Sequence, residues 1–190
     1  MSTVTKIIAG FVVVAVSFSI TLLILDNRKD ACLPTPALGV RIYFKKTPDS
    51  ADVCSGEKFL ASGWGEIETG GVWTLGPQAV FRIPTIDWPE GDVTAIFDAS
   101  SYIGLGFHQG VQKIHVFIDG QKITEWNFST GSSPPDTSFI ITRQARGRSN
   151  TVNIVFQIDP PFNARALGKA PDDRELGLSL RSVVFEKAAR

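Results

Sequence analysis

The chain has 190 residues, 43% hydrophobic and 20% charged, with 19 basic and 19 acidic side chains. That length fits one domain of ordinary size, and a balanced charge excludes the basic footprint of a nucleic-acid binder. Two Cys and two His leave almost no material for a metal cluster, so no metal or cofactor is expected. Seventeen Gly and eleven Pro against a single Met point to many turns and few long helices.

The apolar residues are unevenly spread. Residues 7–25 read IIAGFVVVAVSFSITLLIL, without a charge and with only Ser17, Ser19 and Thr21 polar. As a helix this segment is roughly 28 Å long at about 1.5 Å per residue, close to the bilayer core of about 30 Å. Asp26-Asn27-Arg28-Lys29-Asp30 closes it abruptly. A cleaved signal peptide is the competing reading. Its apolar region is shorter, however, and ends in a small-residue cleavage site, which is missing here. The expectation is an uncleaved signal anchor. Lys6 on one flank and Arg28 and Lys29 on the other give no clear positive-inside vote. The six residues before the span instead favour a single pass in the cytoplasmic membrane, with the C-terminal domain on the periplasmic or extracellular side.

Cys32 and Cys54 are the only cysteines, and both follow the span. An even pair in an exported domain reads as a disulfide, and closing a loop of about 22 residues contributes roughly 3 kcal/mol in the chain-entropy model. Two unrelated thiols in a reducing compartment are the alternative. The division expected is an anchor over 1–30, a connecting segment over 31–56 carrying both cysteines, and a β domain over 57–190.

Beyond residue 30 no segment sustains a helical period. Residues 40–44 alternate, 79–84 follow Gly76-Pro77, and 92–99 follow Glu90-Gly91. Residues 113–118 and 121–126 are joined by Asp119-Gly120, the strongest hairpin signal in the chain. Residues 138–142 come next. Val152, Ile154, Phe156 and Ile158 then alternate on one face, and 176–185 close the domain. Short strands at this spacing predict an all-β fold, an antiparallel β-sandwich or jelly roll, preceded by one N-terminal transmembrane helix. Residues 129–135 and 159–173, rich in Pro, Gly and polar side chains, read as surface loops.

The catalytic inventory is thin. His108 and His115 lie in no metal-binding or triad pattern, and there is no G-x-S-x-G elbow, Walker loop or G-x-G-x-x-G fingerprint. Glu66 with Glu68, or Asp172 with Asp173, serves a glycosidase only if two carboxyl groups face each other across a cleft. No catalytic residue is therefore assigned. Asn127-Phe128-Ser129 is a glycosylation-type sequon. The aromatics carry more information. All four Trp (Trp64, Trp73, Trp88 and Trp126) lie beyond the anchor. A flat indole stacks on a sugar ring while neighbouring carboxylates and Arg bond its hydroxyls. Each Trp equally fits a sandwich core, which needs large side chains.

Four stretches, in order, carry a resemblance. They are Gly63-Trp64-Gly65-Glu66 through Gly71-Val72-Trp73-Thr74-Leu75-Gly76; Val116-Phe117-Ile118-Asp119-Gly120 through Trp126-Asn127-Phe128; Asp159-Pro160-Pro161 through Leu167-Gly168; and Asp172-Asp173-Arg174-Glu175-Leu176-Gly177-Leu178-Ser179-Leu180-Arg181-Ser182-Val183. Together, over about residues 57–187, they resemble a bacterial jelly-roll module, galactose-binding-like in shape. Modules of this family have no assigned function and occur with glycosyltransferases and cell-envelope polysaccharide proteins. The last stretch is the most specific and the hairpin stretch is generic. The resemblance implies a non-catalytic accessory domain that binds glycan or assists a glycosyltransferase. A span rather than a transferase domain precedes it, which favours a free-standing partner of such an enzyme. The candidate ligand contacts are Trp64, Glu66, Trp73, Asp173 and Arg174. The Asp173-Arg174 pair either ties the last loop to the Trp64–Trp73 turn or lets Arg174 face a pocket with Trp73. Docking of another envelope protein is the alternative function, and a small envelope enzyme a remoter one.

Overall fold

The computed structural model describes residues 35–46, 55–103, 110–131, 135–147, 149–163, 165–166 and 171–189. The expected anchor at 7–25, the Cys32–Cys54 pair and His108 all lie outside the described residues. Among the described residues no helix is long and apolar enough to cross a membrane.

The strands are β1 (Arg41–Tyr43), β2 (Leu60–Ser62), β3 (Trp64–Glu68), β4 (Gly71–Leu75), β5 (Gln78–Pro84), β6 (Val93–Ser101), β7 (Val111–Ile118), β8 (Gln121–Ser129), β9 (Ser138–Ile141), β10 (Thr151–Asp159), β11 (Phe162–Asn163) and β12 (Glu175–Lys187). They form two antiparallel sheets. One runs β3-β4-β12-β6-β9, with β1 and β11 also paired to β12, and the other runs β2-β5-β10-β7-β8. Between β4 and β11 the chain crosses repeatedly from one sheet to the other, staying in one sheet only for the β7–β8 hairpin. The fold is thus the all-β sandwich that the turn spacing predicts.

β12 organises the larger sheet. Leu176 pairs with Leu75 of β4 on one side and with Phe162 of β11 on the other. Further along, Ser182 pairs with Tyr43 of β1 and with Asp98 of β6. Thirteen residues of one strand therefore hold four others. β1 lies inside the 31–56 segment assigned as a connection, yet it is laddered to β12, and Phe44 after it is fully buried.

Period-two alternation explains the inner faces. Val152, Ile154, Phe156 and Ile158 of β10 point inward, as do Ile114, Val116 and Ile118 of β7. Asp119 (φ 44°) and Gly120 (φ 88°) turn the β7–β8 hairpin with the two positive φ values of a type I′ turn. Phe97 of β6 meets Phe81, Trp126 and Phe156 across the sheets, and Phe139 within its own sheet, at ring-centroid distances of 5.6–6.2 Å. Each such pair contributes roughly 0.5–1.5 kcal/mol beyond its buried area.

The sequence signals missed some elements. β2, β3 and β4 are short and their pairings are bulged, so their alternation is broken. A single helical turn, α1 (Arg143–Arg146), is capped by the Thr142 hydroxyl accepting from the Ala145 N–H at 3.0 Å. Residues 162–163, inside the expected loop, ladder onto β12 as β11. Gly63 makes the corner where the chain leaves the smaller sheet for the larger. Its φ is +73°, and an added Cβ would lie 2.0 Å from the Gln78 carbonyl oxygen. Backbone cannot yield as a side chain does, so Gly63→Ala is expected to lower stability by at least about 2 kcal/mol. A urea midpoint unchanged from wild type would show that the corner tolerates a side chain.

Candidate functional site

The four tryptophans have different fates. Trp126 is 1% exposed, against Phe97 and Phe156 in the core. Trp88 is also buried, and its indole N–H donates to the Pro36 carbonyl at 3.0 Å. Trp64 pairs with Thr74 across β3–β4, on the inner face. Its ring meets Phe156 edge-on at 5.9 Å, and its N–H donates to the Val80 carbonyl at 2.8 Å. Trp73, next to Thr74 in β4, points the other way, to the outer face of the larger sheet. It is half-buried, and among the described residues its indole N–H has no hydrogen-bond partner.

Trp73 stands in a second apolar cluster with Tyr102, Leu176 and Phe162. Tyr102 lies edge-on to Trp73 at 6.5 Å and stacks with Phe162 at 6.3 Å. Glu68 opposes Gly71 in the ladder, and Gly71 shares the outer face of β4 with Trp73. This brings Glu68 to the rim of the cluster, where Arg174 meets it. The Arg174 guanidinium donates to Glu68 Oε1 at 2.7 Å and to both Asp172 carboxylate oxygens at 2.7–3.0 Å, a forked charge-assisted contact. The Arg174 backbone N–H also donates to Asp172 Oδ1. Bonding to Arg174 holds the Asp172 carboxyl below the usual carboxylate range, and the two carboxylates push the Arg174 guanidinium up. Burial, and then the charge of Asp172, raise the Tyr102 hydroxyl.

An open groove of about 650 Å³ runs along the β2–β3 edge, lined in part by Lys46, Glu57, Ser62, Trp64, Glu66 and Leu75. The five sequence-selected residues are thus divided. Trp64 and Glu66 lie at the groove, Trp73 and Arg174 on the outer face. Trp64 shares the inner face with its cross-strand partner Thr74, and Trp73, the residue before Thr74 in β4, faces the opposite way. The sequence leaves open whether the Asp173-Arg174 pair ties the last loop to the Trp64–Trp73 turn or Arg174 faces a pocket with Trp73. Neighbours in an extended segment point apart, so Asp173 pairs with Arg165 at 2.6 Å while Arg174 reaches Asp172 and Glu68. Arg174 does tie the last loop to the β3–β4 hairpin, with those partners.

Tyr102, Phe162 and Leu176 were not selected from sequence. Leu176 belongs to the final motif, whereas Tyr102 sits at a strand end and Phe162 in an apparent loop, with no pattern to mark them. Neither suspected carboxylate pair has the surroundings of an acid–base couple. Glu68 and Asp172 share one Arg, and Asp172 is shifted opposite to the direction a general acid needs. His115 Nδ1 sits 2.9 Å from Glu125 across the β7–β8 hairpin, on the face opposite Ile114 and Val116.

Scans against protein-family models and against curated protein sequences return no match. Solved structures with similarity include a CBM36 domain of a multidomain xylanase from the hindgut metagenome of Trinervitermes trinervoides. It is 12% identical over 71% of this chain and 95% of that one, with a TM-score of 0.41. A cycloisomaltooligosaccharide glucanotransferase from a Paenibacillus species, complexed with cycloisomaltoheptaose, is 17% identical over 65% of this chain, with a TM-score of 0.35. The insecticidal delta-endotoxin Cry8Ea1 of Bacillus thuringiensis is 8% identical over 60% of this chain, with a TM-score of 0.36. This chain spans only 15% of the glucanotransferase and 19% of the toxin. All three scores lie below 0.5, so they establish neither common descent nor a shared ligand.

Asp172 has its pKa depressed by Arg174. Any stability from the latch is therefore complete above the ordinary Asp value of about 3.9 and is lost as pH falls through the lower folded value. Arg174→Gln is expected to move the Asp172 titration upward, followed by carboxyl-carbon NMR. An unmoved titration would refute the latch.

Proposed function

We propose that this protein is a non-catalytic carbohydrate-binding β-sandwich, and that Trp73 on the outer face is its ligand platform. The observation that carries the reading is the contrast among the tryptophans. The indole N–H groups of Trp64 and Trp88 bond to backbone carbonyls and Trp126 is enclosed in the core, whereas Trp73 lies partly exposed on the outer face and, among the described residues, its N–H has no partner. Glu68, Asp172 and Arg174 frame it with carboxylate acceptors and guanidinium donors for sugar hydroxyls. Mutual pairing already sets their geometry, which lowers the ordering cost of binding.

The sequence supports the setting. The apolar span at 7–25 favours anchorage in the cytoplasmic membrane, with the sandwich outside, and the D-x-R-x-L-G-L-x-L-x-S-V stretch favours a role in cell-envelope polysaccharide assembly beside a glycosyltransferase. A second reading, docking of another envelope protein, is favoured by Ile96 and Ile140, 37% and 48% exposed on the same sheet.

Titration calorimetry of the full chain in detergent with envelope polysaccharide tests the assignment. Trp73→Ala is expected to weaken binding by about tenfold or more while leaving the chain folded, with a smaller loss of Tm than Trp64→Ala. Trp64→Ala should instead destabilise the fold by roughly 3–5 kcal/mol, as loss of a packed Trp does. Wild-type protein that binds no glycan at millimolar concentration would sink the assignment.

A further inference from the structure

The groove at the β2–β3 edge plays no part in the Trp73 platform, yet it adjoins it. Leu75 follows Trp73 by two residues in β4, so both side chains share the outer face about 7 Å apart. Leu75 is 36% exposed and lines the groove. Across the ladder Gly65 follows the inward Trp64 and so presents its missing side chain on that same face. The nearest atoms to a Cβ added there are the Leu75 side chain, at 3.5 Å, and the Trp73 carbonyl oxygen, at 3.6 Å, both ordinary contacts. A bare strip, floored by Gly65 and Leu75, thus joins the platform to the groove.

The charges in the two places differ in kind. Glu68, Asp172 and Asp173 are each bound to an Arg. Glu57, Glu66 and Lys46 in the groove are exposed, and among the described residues their side chains form no ion pair. The two carboxylates outnumber the single Lys46, so the groove offers acceptors for hydroxyl or amino donors and on balance repels a further carboxylate. The groove volume of about 650 Å³ lies within the range of about 300–1,000 Å³ typical of small-ligand sites.

We infer that the groove is a second subsite continuous with the Trp73 platform, and that the two together take a linear oligosaccharide chain whose sugars carry no carboxylate. The inference rests on the reading of Trp73 as a glycan platform. The chain lies across Leu75 and Gly65, with one sugar over Trp73 and the following ones in the groove. Affinity therefore grows with chain length, and uronic-acid chains are rejected by Glu57 and Glu66.

The test uses the full chain in detergent against an array of gluco-, xylo-, manno- and chito-oligosaccharides. Each is presented as a disaccharide and a hexasaccharide, with oligogalacturonate as the acidic member. A hexasaccharide binding about tenfold tighter than its disaccharide, with oligogalacturonate not retained, is the expected result. Gly65→Phe, which blocks the strip, should bring that ratio close to one. Ser62→Trp, in the groove wall, should do the same and serves if Gly65→Phe fails to fold. Glu57→Gln combined with Glu66→Gln should admit oligogalacturonate. Equal affinity for long and short chains, with Trp73→Ala still abolishing both, overturns the second subsite and leaves the platform standing. Continued rejection of oligogalacturonate by the double variant overturns the charge selection. Absence of binding to every oligosaccharide overturns the platform and the groove together.

Discussion

The packing of Phe97 against four rings is the interaction on which the rest of the molecule depends. Phe97 belongs to the larger sheet, whereas Phe81, Trp126 and Phe156 come from strands of the smaller one. The rings meet edge-on or tilted except for Phe139, which stacks on Phe97 within the same sheet. Such geometry fixes the distance and angle between the sheets more sharply than aliphatic burial alone. With the sheets locked face to face, the described inward positions form one continuous apolar core. Side chains excluded by the pleat must then find a use on the outer face or at the edges.

Chemistry on the surface follows from that exclusion. Thr74 is fully buried and its hydroxyl accepts the Leu178 N–H at 2.9 Å, where β12 is bulged. With Thr74 facing inward, Trp73 has to face outward. β12 then supplies the surroundings of Trp73 from both its flanks: Leu176 from the strand itself, Phe162 from β11, and Tyr102 from the end of β6. A strand with four partners is what allows residues so far apart in the chain to meet around one indole.

Electrostatics divides the surface into two regions. Around Arg174 the charges are matched: each acid has a basic partner, and the pairs tie the last loop to the β3–β4 hairpin. Those pairs are partly exposed, so their worth lies in holding geometry rather than in large stabilisation. In the groove the carboxylates of Glu57 and Glu66 have no such partners among the described residues. Matched charge around Arg174 makes a rigid frame beside Trp73, and the groove charges stand apart from it.

Much of this was legible in the sequence. Alternation in β10, the Asp119-Gly120 turn and the spacing of turn residues determined an all-β sandwich, because a period of two and a preference for positive φ are local properties of the chain. Trp73 and Arg174 were visible as candidates from residue type alone. Trp64 and Asp173 looked equivalent to them, and only the tertiary structure separated the four. Broken alternation in β3 and β4 hid which way each tryptophan points, and the partners that decide each role lie far away in sequence: Val80 and Phe156 for Trp64, Tyr102 and Phe162 for Trp73, Glu68 for Arg174. Local pattern determined what kind of surface the chain builds. Which side chains are used up inside it, and which remain available, was decided by long-range packing.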